Sequence, residues 1–390
     1  MSQSETFLPH ERVAKIVQFG EPRDTLETDL TACLRFCWTS HSIRCNKEDE
    51  DQARLNNAEF PGGDDTRTFV TGATGFIGRH TAERLVAAGH ELTCLVRRMS
   101  DTSKLKKLDA ALAVGDLTDR ASLQRGMNGC EWVVNIAAAY SFWLPRKRTY
   151  ADVNIGGTRN VMECALEAGV SKVVHVSTVA IYGRPAERPF NEDSNPGPVR
   201  FSEYARTKHE GDLIAWEASK TKGLPLVMVY PGGVLGPGDP QATGEYIQNL
   251  LNGRMPATVF DDVLFPWVHV RDVAEVIVRA AEKEHNISGK YLAVAQNLTF
   301  GQMNQMISEI SGVALPRLRM PASLAMLNAR LLTLMADIAK KPPLLGIAID
   351  QMRTMKEGAE VDGSRVEREL GITYTPIRVA LQEAIASYTY

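Results

Sequence analysis

Residues 67–79 read R-T-F-V-T-G-A-T-G-F-I-G-R, and this stretch decides the fold. A short apolar run leads into a turn with three glycines, and an apolar pattern of helical period follows. That succession predicts a strand, a glycine turn and a helix. In such a turn Gly72 permits the tight bend, Gly75 lets a pyrophosphate approach the backbone, and Gly78 lets the helix pack closely. Three spaced glycines alone are weak evidence, so the flanking strand and helix carry the prediction.

The glycine spacing is G-x-x-G-x-x-G, which resembles that of the short-chain dehydrogenase/reductase superfamily. The run T-G-A-T-G-F-I-G resembles its extended branch, the NAD-dependent epimerase/dehydratase family. Apolar strands alternate with helical patterns, which predicts an α/β fold with a doubly wound parallel Rossmann sheet. The later strands are predicted at 91–96, 112–114, 132–136, 173–176 and 226–230. A smaller, mostly helical C-terminal part is expected to bind the substrate.

Composition and charge narrow the classes of protein. The 390 residues are 44% hydrophobic and 23% charged, which is typical of globular proteins. A net charge of −3 gives no indication of a nucleic-acid partner. The six cysteines are too dispersed for a disulfide framework, so we expect a cytoplasmic protein. No integral membrane segment is expected, because Arg330 and Asp337 interrupt the apolar run Leu324 to Ile338.

The first 65 residues differ from the rest of the chain. They include the acidic run Glu48 to Asp51 and end in the linker sequence P-G-G-D-D. We expect a disordered or loosely docked extension, followed by one reductase domain over residues 66–390. Four side chains of zinc-ligating type lie close together in the extension: Cys33, Cys37, His41 and Cys45. No second half of a familiar zinc signature follows, so no metal site is predicted.

The end of the second predicted strand indicates the cofactor. At this point a dinucleotide site meets the adenosine ribose, where an acidic residue suits NAD(H) and an arginine suits the 2′-phosphate of NADP(H). Arg97 and Arg98 stand there, so we expect NADP(H) rather than NAD(H). The alternative is that both arginines are surface charges at a strand end.

The family resemblance implies further cofactor contacts. A matching G-D-L carries the adenine contact in the family, which indicates Asp116 and Leu117. Asn135 stands where many relatives carry histidine, so a hydrogen bond that the family makes at this position is a weaker expectation for this chain. The expected cofactor-binding residues are Gly72, Thr74, Gly75, Phe76, Ile77, Gly78, Arg97, Arg98, Asp116, Leu117, Ala137, Ala138, Ser177, Tyr204, Lys208, Pro231, Gly232 and Val234.

Tyr204 and Lys208 are four residues apart, so a helix places both on one face. There the ammonium can bind the cofactor ribose and favour a tyrosinate, which tyrosine needs because its ordinary pKa is about 10. A strand-end Ser-Thr pair precedes them. Alignment with the family pattern puts the catalytic hydroxyl at Thr178, with Ser177 as the alternative. Alternatively, the hydroxyls of Ser177 and Thr178 have no catalytic role and cap the strand end.

Two further motifs match the family pattern. Residues 150–168 are predicted as one long helix, in which N-I-G-G-T-R-N places Asn154 and Thr158 at marked, structural positions. The run W-V-H-V-R-D-V-A contains His269, and we interpret it as a clasp between the cofactor part and the substrate part.

The cofactor part is expected mainly in residues 66–235. The substrate pocket is expected from two insertions, 184–201 and 239–266, and from residues 298–390. Tyr140, Phe142 and Trp143 follow the fourth strand and suit a flat or apolar substrate, or core packing. The apolar stretch Ala322 to Leu334 suits a substrate lid, a membrane-surface contact, a dimer face or core, and we expect core.

Together these features predict an NADP(H)-dependent oxidoreductase that transfers a hydride between nicotinamide and a carbonyl or alcohol. Within the extended short-chain dehydrogenase/reductase branch, the chain resembles the dihydroflavonol-reductase-like group. A nucleotide-sugar epimerase or dehydratase is the main alternative, for which Arg200, Arg206 and Arg254 are candidate diphosphate ligands. A second alternative is a regulator that holds NADP without turnover. A homodimer is compatible with each of these functions.

Overall fold

The structure is a computed structural model that describes residues 66–388, so the N-terminal extension and its Cys/His cluster lie outside the described residues. Strands occur in this order: β1 (Arg67–Thr71), β2 (Glu91–Val96), β3 (Ala111–Val114), β4 (Trp132–Asn135), β5 (Lys172–Val176), β6 (Leu226–Pro231), β7 (Gly233–Leu235), β8 (Leu264–His269), β9 (Lys290–Ala293) and β10 (Gln296–Thr299).

Helices flank the central sheet and make up most of the C-terminal region. In chain order they are α1 (Phe76–Ala87), α2 (Ser103–Lys106), α3 (Arg120–Met127), α4 (Arg148–Tyr150), α5 (Thr158–Ala168), α6 (Glu203–Lys222), α7 (Ala242–Leu251), α8 (Val270–Glu282), α9 (Phe300–Ser311), α10 (Ala322–Ala339), α11 (Ile349–Glu357), α12 (Ser364–Leu370) and α13 (Ile377–Tyr388).

A seven-stranded sheet forms the centre, with the order β3-β2-β1-β4-β5-β6-β9 and parallel pairing throughout. The predicted doubly wound parallel sheet is therefore confirmed. Strand order reverses between β1 and β4, whose last residues pair as Thr71 with Asn135. Ligands of open α/β sheets bind outside the carboxyl ends of the strands at such a switch point.

Alternation along β1 supplies both faces of the sheet. Phe69 is fully buried in one core with Leu123 and Met162, against α3 and α5. The next residue, Val70, is fully buried in the opposite core with Leu85 from α1. The glycine turn that follows is thereby anchored from both sides, because each face of the strand before it is packed.

The predicted helix over 150–168 is not a single α-helix. Residues Ala151–Gly157 form a π-helical segment between α4 and α5. The Asn154 side chain accepts from Ala139 N at 2.8 Å and donates to Thr207 Oγ1 at 3.0 Å. Wider turns of this kind occur mostly at functional sites, and this one ties the helix to the chain after β4.

The C-terminal part has its own small sheet, ordered β10-β8-β7, and its own core. Helices α9, α11 and α13 contribute to this core. His269, the last residue of β8, is fully buried, and its Nε2 lies 3.2 Å from Glu383 Oε2 of α13. Asp272 accepts from the amide and hydroxyl of Thr375, at 2.8 Å each. These contacts agree with the interpretation of W-V-H-V-R-D-V-A as a clasp.

Helix α10 is not core, contrary to expectation. Among its residues, Ala325, Ala329 and Ala336 are buried, whereas the large apolar side chains on the other face are exposed. Within residues 66–388 it is the one helix long and apolar enough, by length and composition, to cross a membrane. Its apolar pattern alone did not distinguish burial from exposure, because both give the same sequence signal.

Candidate active site

One cavity of about 640 Å³ opens at the carboxyl ends of β1, β4, β5 and β6. All three expected catalytic residues line it, and so do the expected cofactor-binding residues with the exception of Arg98. The sequence-based site is thus brought together in space, although its members are spread from Gly72 to Val234. The substrate side of the same cavity is formed by residues from the second insertion and the C-terminal helices.

The glycine turn is packed so tightly that side chains are excluded at two of its positions. Gly72 has a φ of +75°, and a Cβ there would lie 2.7 Å from Ala137 N. A Cβ on Gly78 would lie 2.0 Å from Gly72 O. The turn therefore presents bare backbone at the start of α1, which is the shape that a dinucleotide pyrophosphate requires. The residues present fit a dinucleotide.

The end of β2 separates the two arginines. Arg97 and Ser100 line the cavity, whereas Arg98 is exposed and does not. Asp116, on the neighbouring strand end, also lines the cavity, and its carboxylate accepts from the amide and hydroxyl of Thr118 at 2.9 and 2.7 Å. This edge of the cavity thus offers one guanidinium and a carboxylate that is held in place.

The two candidate hydroxyls after β5 have different partners. Ser177 Oγ donates to Asp212 Oδ2 at 2.7 Å, so its hydrogen is committed to a buried carboxylate. Thr178 Oγ1 accepts from Ala180 N at 3.2 Å, which leaves its own hydrogen for a second acceptor. Both residues border the cavity, but the hydrogen-bond pattern favours Thr178 as the donor to a substrate oxygen. The capping role of Thr178 and a catalytic role are therefore compatible.

Tyr204 lies in the first turn of α6, which Ser202 caps by accepting from Ala205 N. Its ring meets Tyr140 edge-on, with centroids 5.0 Å apart. Burial, and to a smaller extent the neighbouring Tyr140 and Asp212, raise the pKa of Tyr204 well above its ordinary value. In this environment the phenol holds its proton, so it is a donor toward the cavity.

Lys208 is buried one turn further along α6, and its Nζ donates to Val176 O at 2.8 Å. His175 Nε2 lies 3.5 Å from this Nζ and 3.5 Å from Asp212 Oδ1. Burial lowers the pKa of Lys208, and the carboxylate of Asp212 opposes that effect. Burial also lowers the pKa of His175, which favours a neutral imidazole beside the ammonium.

Sequence reasoning missed this network beneath the site. Asn135 Nδ2 lies 2.8 Å from His175 Nδ1, and Thr71 Oγ1 donates to Asn135 Oδ1 at 2.6 Å. A buried chain of polar side chains therefore runs from β1 through β4 and β5 to Asp212 on α6. The spacing of Lys208 and Asp212, four residues apart on one helix, was the signal available in the sequence.

The substrate side of the cavity is largely apolar and aromatic. Tyr140 and Phe142 line it as expected, whereas Trp143 donates from Nε1 to Asp337 of α10 at 2.9 Å and is absent from the lining. From the first insertion Phe201 borders the cavity. Trp267 of β8 also lines the cavity, and the other lining residues come from the second insertion and the C-terminal part: Tyr246, Phe265, Phe300, Met303 and Met355.

The arginines considered for a diphosphate lie elsewhere. Arg200 donates through Nη1 to the carbonyl oxygen of Gly197, and Arg206 binds Glu203 and Glu210 on its own helix. Neither these two nor Arg254 lines the cavity among the residues that the structure describes.

Comparisons with known proteins agree with this site. The sequence profile of the NAD dependent epimerase/dehydratase family matches residues 68–295. The chain is 34% identical over 327 residues to sterol demethylase protein B of Methylococcus capsulatus, covering 82% of this chain and 97% of that one. It is 29% identical over 328 residues to a Synechocystis protein named as a dihydroflavonol 4-reductase, covering 81% and 93%.

Among solved structures, the crystal structure of gox2253 is similar with a TM-score of 0.71 and 34% identity. The match covers 83% of this chain and 98% of that one. The family profile spans more than half of the chain, and the sterol demethylase relative is matched over nearly its whole length. The chain therefore belongs to the NAD dependent epimerase/dehydratase family and is an NAD(P)-dependent oxidoreductase of the short-chain dehydrogenase/reductase type.

Proposed function

We propose that the protein is an NADP(H)-dependent reductase or dehydrogenase that acts on a ketone or aldehyde, or on the corresponding alcohol. The observation that carries the proposal is the position of Thr178 and Tyr204 on one cavity with the glycine turn. The two hydroxyl-bearing side chains and the glycine turn thus border one cavity of about 640 Å³. Such a pair can hold and protonate a carbonyl oxygen.

The protein groups divide the work of proton transfer. When bound in the glycine turn, the dinucleotide supplies the hydride for the carbonyl carbon or accepts it from the alcohol. Thr178 donates a hydrogen bond to the substrate oxygen, and Tyr204 gives that oxygen its proton in reduction or takes it back in oxidation. Lys208 would bind the cofactor ribose, and its charge would offset the negative charge that Tyr204 gains when it loses the proton.

The cavity walls indicate the substrate class. Aromatic and sulfur-containing side chains from the second insertion and the C-terminal part line the substrate side, which suits a bulky apolar carbonyl compound. The names of two relatives, a sterol demethylase protein and a dihydroflavonol 4-reductase, refer to a sterol and a dihydroflavonol. We propose accordingly that residues 184–201, 239–266 and 298–390 mainly form the substrate part and residues 66–235 mainly the cofactor part.

The family also includes epimerases and dehydratases, in which the cofactor is reoxidised within one turnover. A nucleotide sugar needs cationic ligands for its diphosphate, and the three candidate arginines do not line this cavity. That observation favours the carbonyl reductase over the nucleotide-sugar enzyme. The presence of Thr178, Tyr204 and Lys208 together favours an enzyme over a non-catalytic NADP-binding regulator.

The test measures NADPH oxidation against a panel of sterol-like, flavonoid-like and smaller ketones, with nucleotide sugars beside them. Tyr204→Phe is expected to bind NADPH as the wild type does and to lose turnover by orders of magnitude, since it lacks the transferable proton. Tyr140→Phe is the matched control, because Tyr140 also lines the cavity and its ring contacts Tyr204. Wild-type turnover in Tyr204→Phe, or turnover of nucleotide sugars alone, would refute the proposal.

A further inference from the structure

Helix α10 exposes a continuous apolar stripe. Six large side chains on it are between 51% and 76% exposed: Leu324, Leu327, Leu331, Leu334, Met335 and Ile338. Their spacing of three and four residues places them on one side of the helix. Monomeric soluble proteins seldom leave large contiguous apolar patches in water, so the stripe indicates a surface that is covered when the protein works.

The opposite side of α10 fastens the helix to the fold. Ala325, Ala329 and Ala336 are buried there. Thr333 Oγ1 accepts from Ile349 N of α11 at 2.8 Å, and Asp337 accepts from Trp143 Nε1 at 2.9 Å. These contacts hold one side of the helix against the protein along its length. The helix thus lies on the surface of the fold and is not free to cross a bilayer.

The charges around the stripe are mostly basic. Residues 312–349 contain five basic residues and one acidic residue, Asp337, which is half-buried and lies 3.5 Å from Lys147 Nζ. The basic residues are exposed, and they stand before, within and directly after α10: Arg317, Arg319, Arg330, Lys340 and Lys341. Arg319 is paired with Asp261 at 3.3 Å. The chain as a whole is acidic, with a net charge of −3, so this basic region is a local feature.

A second copy of the chain does not suit this surface. Symmetric pairing of the stripe with itself would bring the basic residues of two copies together, five from each copy against one acidic residue, Asp337, in residues 312–349. An anionic membrane surface satisfies both features, because acyl chains cover the leucines while phosphate headgroups pair with the lysines and arginines. An apolar helix face with basic residues at its borders is the pattern of helices that lie in the membrane interface.

We propose that α10 docks the protein on the surface of a lipid bilayer that contains anionic lipids. The helix is 18 residues long, or about 27 Å, and lies parallel to the bilayer with its apolar stripe between the headgroups. Its inner face shares a small core with Phe142, which lines the catalytic cavity, so docking places that wall of the cavity beside the membrane. The proposal does not depend on which substrate the enzyme uses.

Co-sedimentation of the full chain with lipid vesicles tests the proposal. The wild type is expected to bind mixed vesicles made from equal amounts of phosphatidylcholine and phosphatidylglycerol. It is expected to bind vesicles of pure phosphatidylcholine more weakly. The variant Leu327→Ser/Leu331→Ser/Leu334→Ser should lower partitioning into the mixed vesicles by at least about tenfold, because each change removes apolar area from the interface. The changes lie at exposed positions, so folding and NADPH binding are expected to persist.

Two further variants sharpen the test. Leu213→Ser/Ile287→Ser is the matched control, since those side chains are 55% and 60% exposed elsewhere on the surface, and it should bind as the wild type does. Lys340→Glu/Lys341→Glu should weaken binding to the mixed vesicles and leave binding to pure phosphatidylcholine unchanged.

The proposal is overturned if the wild type binds neither vesicle, or if the triple variant binds like the wild type. Sedimentation velocity without lipid identifies the competing occupant. A wild-type dimer that the triple variant converts to a monomer, with no vesicle binding, would show that the stripe is an interface between copies.

Discussion

Replacing Arg97 with aspartate tests cofactor choice at a single position. The side chain lies where β2 leaves the sheet, and it lines the cavity beside Asp116. NADP(H) differs from NAD(H) by one phosphate, and a guanidinium offers that phosphate two parallel donors and a full charge. An aspartate at this position would repel the phosphate and could accept from a ribose hydroxyl instead.

The structure sets the size of the expected effect. A hydrogen bond to a charged group contributes about 1.5–3 kcal/mol, but Arg97 is exposed, so solvent screening reduces the contribution toward the lower figure. Since about 1.4 kcal/mol corresponds to a tenfold change in affinity, we expect the wild type to favour NADPH over NADH by about tenfold. Arg97→Asp should abolish or reverse this preference.

Dissociation constants for NADPH and NADH, measured by fluorescence titration, provide the assay. Arg98→Asp is the matched control, because it makes the same charge change one residue away at a side chain that does not line the cavity. It is expected to retain the preference for NADPH apart from a small effect of overall charge. Equal affinities in the wild type, or the same loss of preference in both variants, would refute the assignment of the phosphate to Arg97.

Two other predictions concern the polar network and the glycine turn. Asp212→Asn removes the negative charge that raises the pKa of buried Lys208. Lys208 should then lose its proton at lower pH, so the loss of kcat with rising pH should begin at a lower pH than in the wild type; an unmoved alkaline limb would contradict this. Gly78→Ala would place a Cβ 2.0 Å from Gly72 O, so we expect weaker dinucleotide binding by at least about tenfold and a stability loss of about 1–3 kcal/mol. In calorimetry and titration, Gly156→Ala is the control, because its nearest neighbour would be 3.9 Å away, and equal behaviour of the two variants would contradict the close packing.

Local sequence patterns were sufficient for the parts of the protein that depend on local geometry. Short apolar runs that alternate with helical patterns, together with the glycine spacing of residues 72–78, predicted the parallel sheet and its nucleotide edge. The structure places β2 at the predicted bounds and shifts other strand ends by a residue or two. The expected catalytic residues line one cavity because Thr178 follows the carboxyl end of β5 and the first turns of α6 bring Tyr204 and Lys208 to the same edge of the sheet.

Tertiary packing decided what local patterns leave open. Arg97 and Arg98 are equivalent in sequence, and only the path of the chain after β2 turns one of them to the cavity. Trp143 was expected near the substrate, but the position of α10 provides Asp337 as a closer partner for its indole.

Tertiary packing also decided two features that sequence reasoning missed or misjudged: the buried polar network and the apolar stripe on α10. His175 and Asp212 lie on different elements, and their approach depends on how α6 packs against the sheet. The stripe on α10 has the sequence pattern of a core helix, yet α11 covers only its small-residue face and leaves the leucines exposed. The sequence determined which residues have the chemistry and the periodicity, because these are properties of neighbours along the chain. Which of them meet, and which face of a helix is covered, depends on contacts between residues far apart in sequence, and only the tertiary structure decided those.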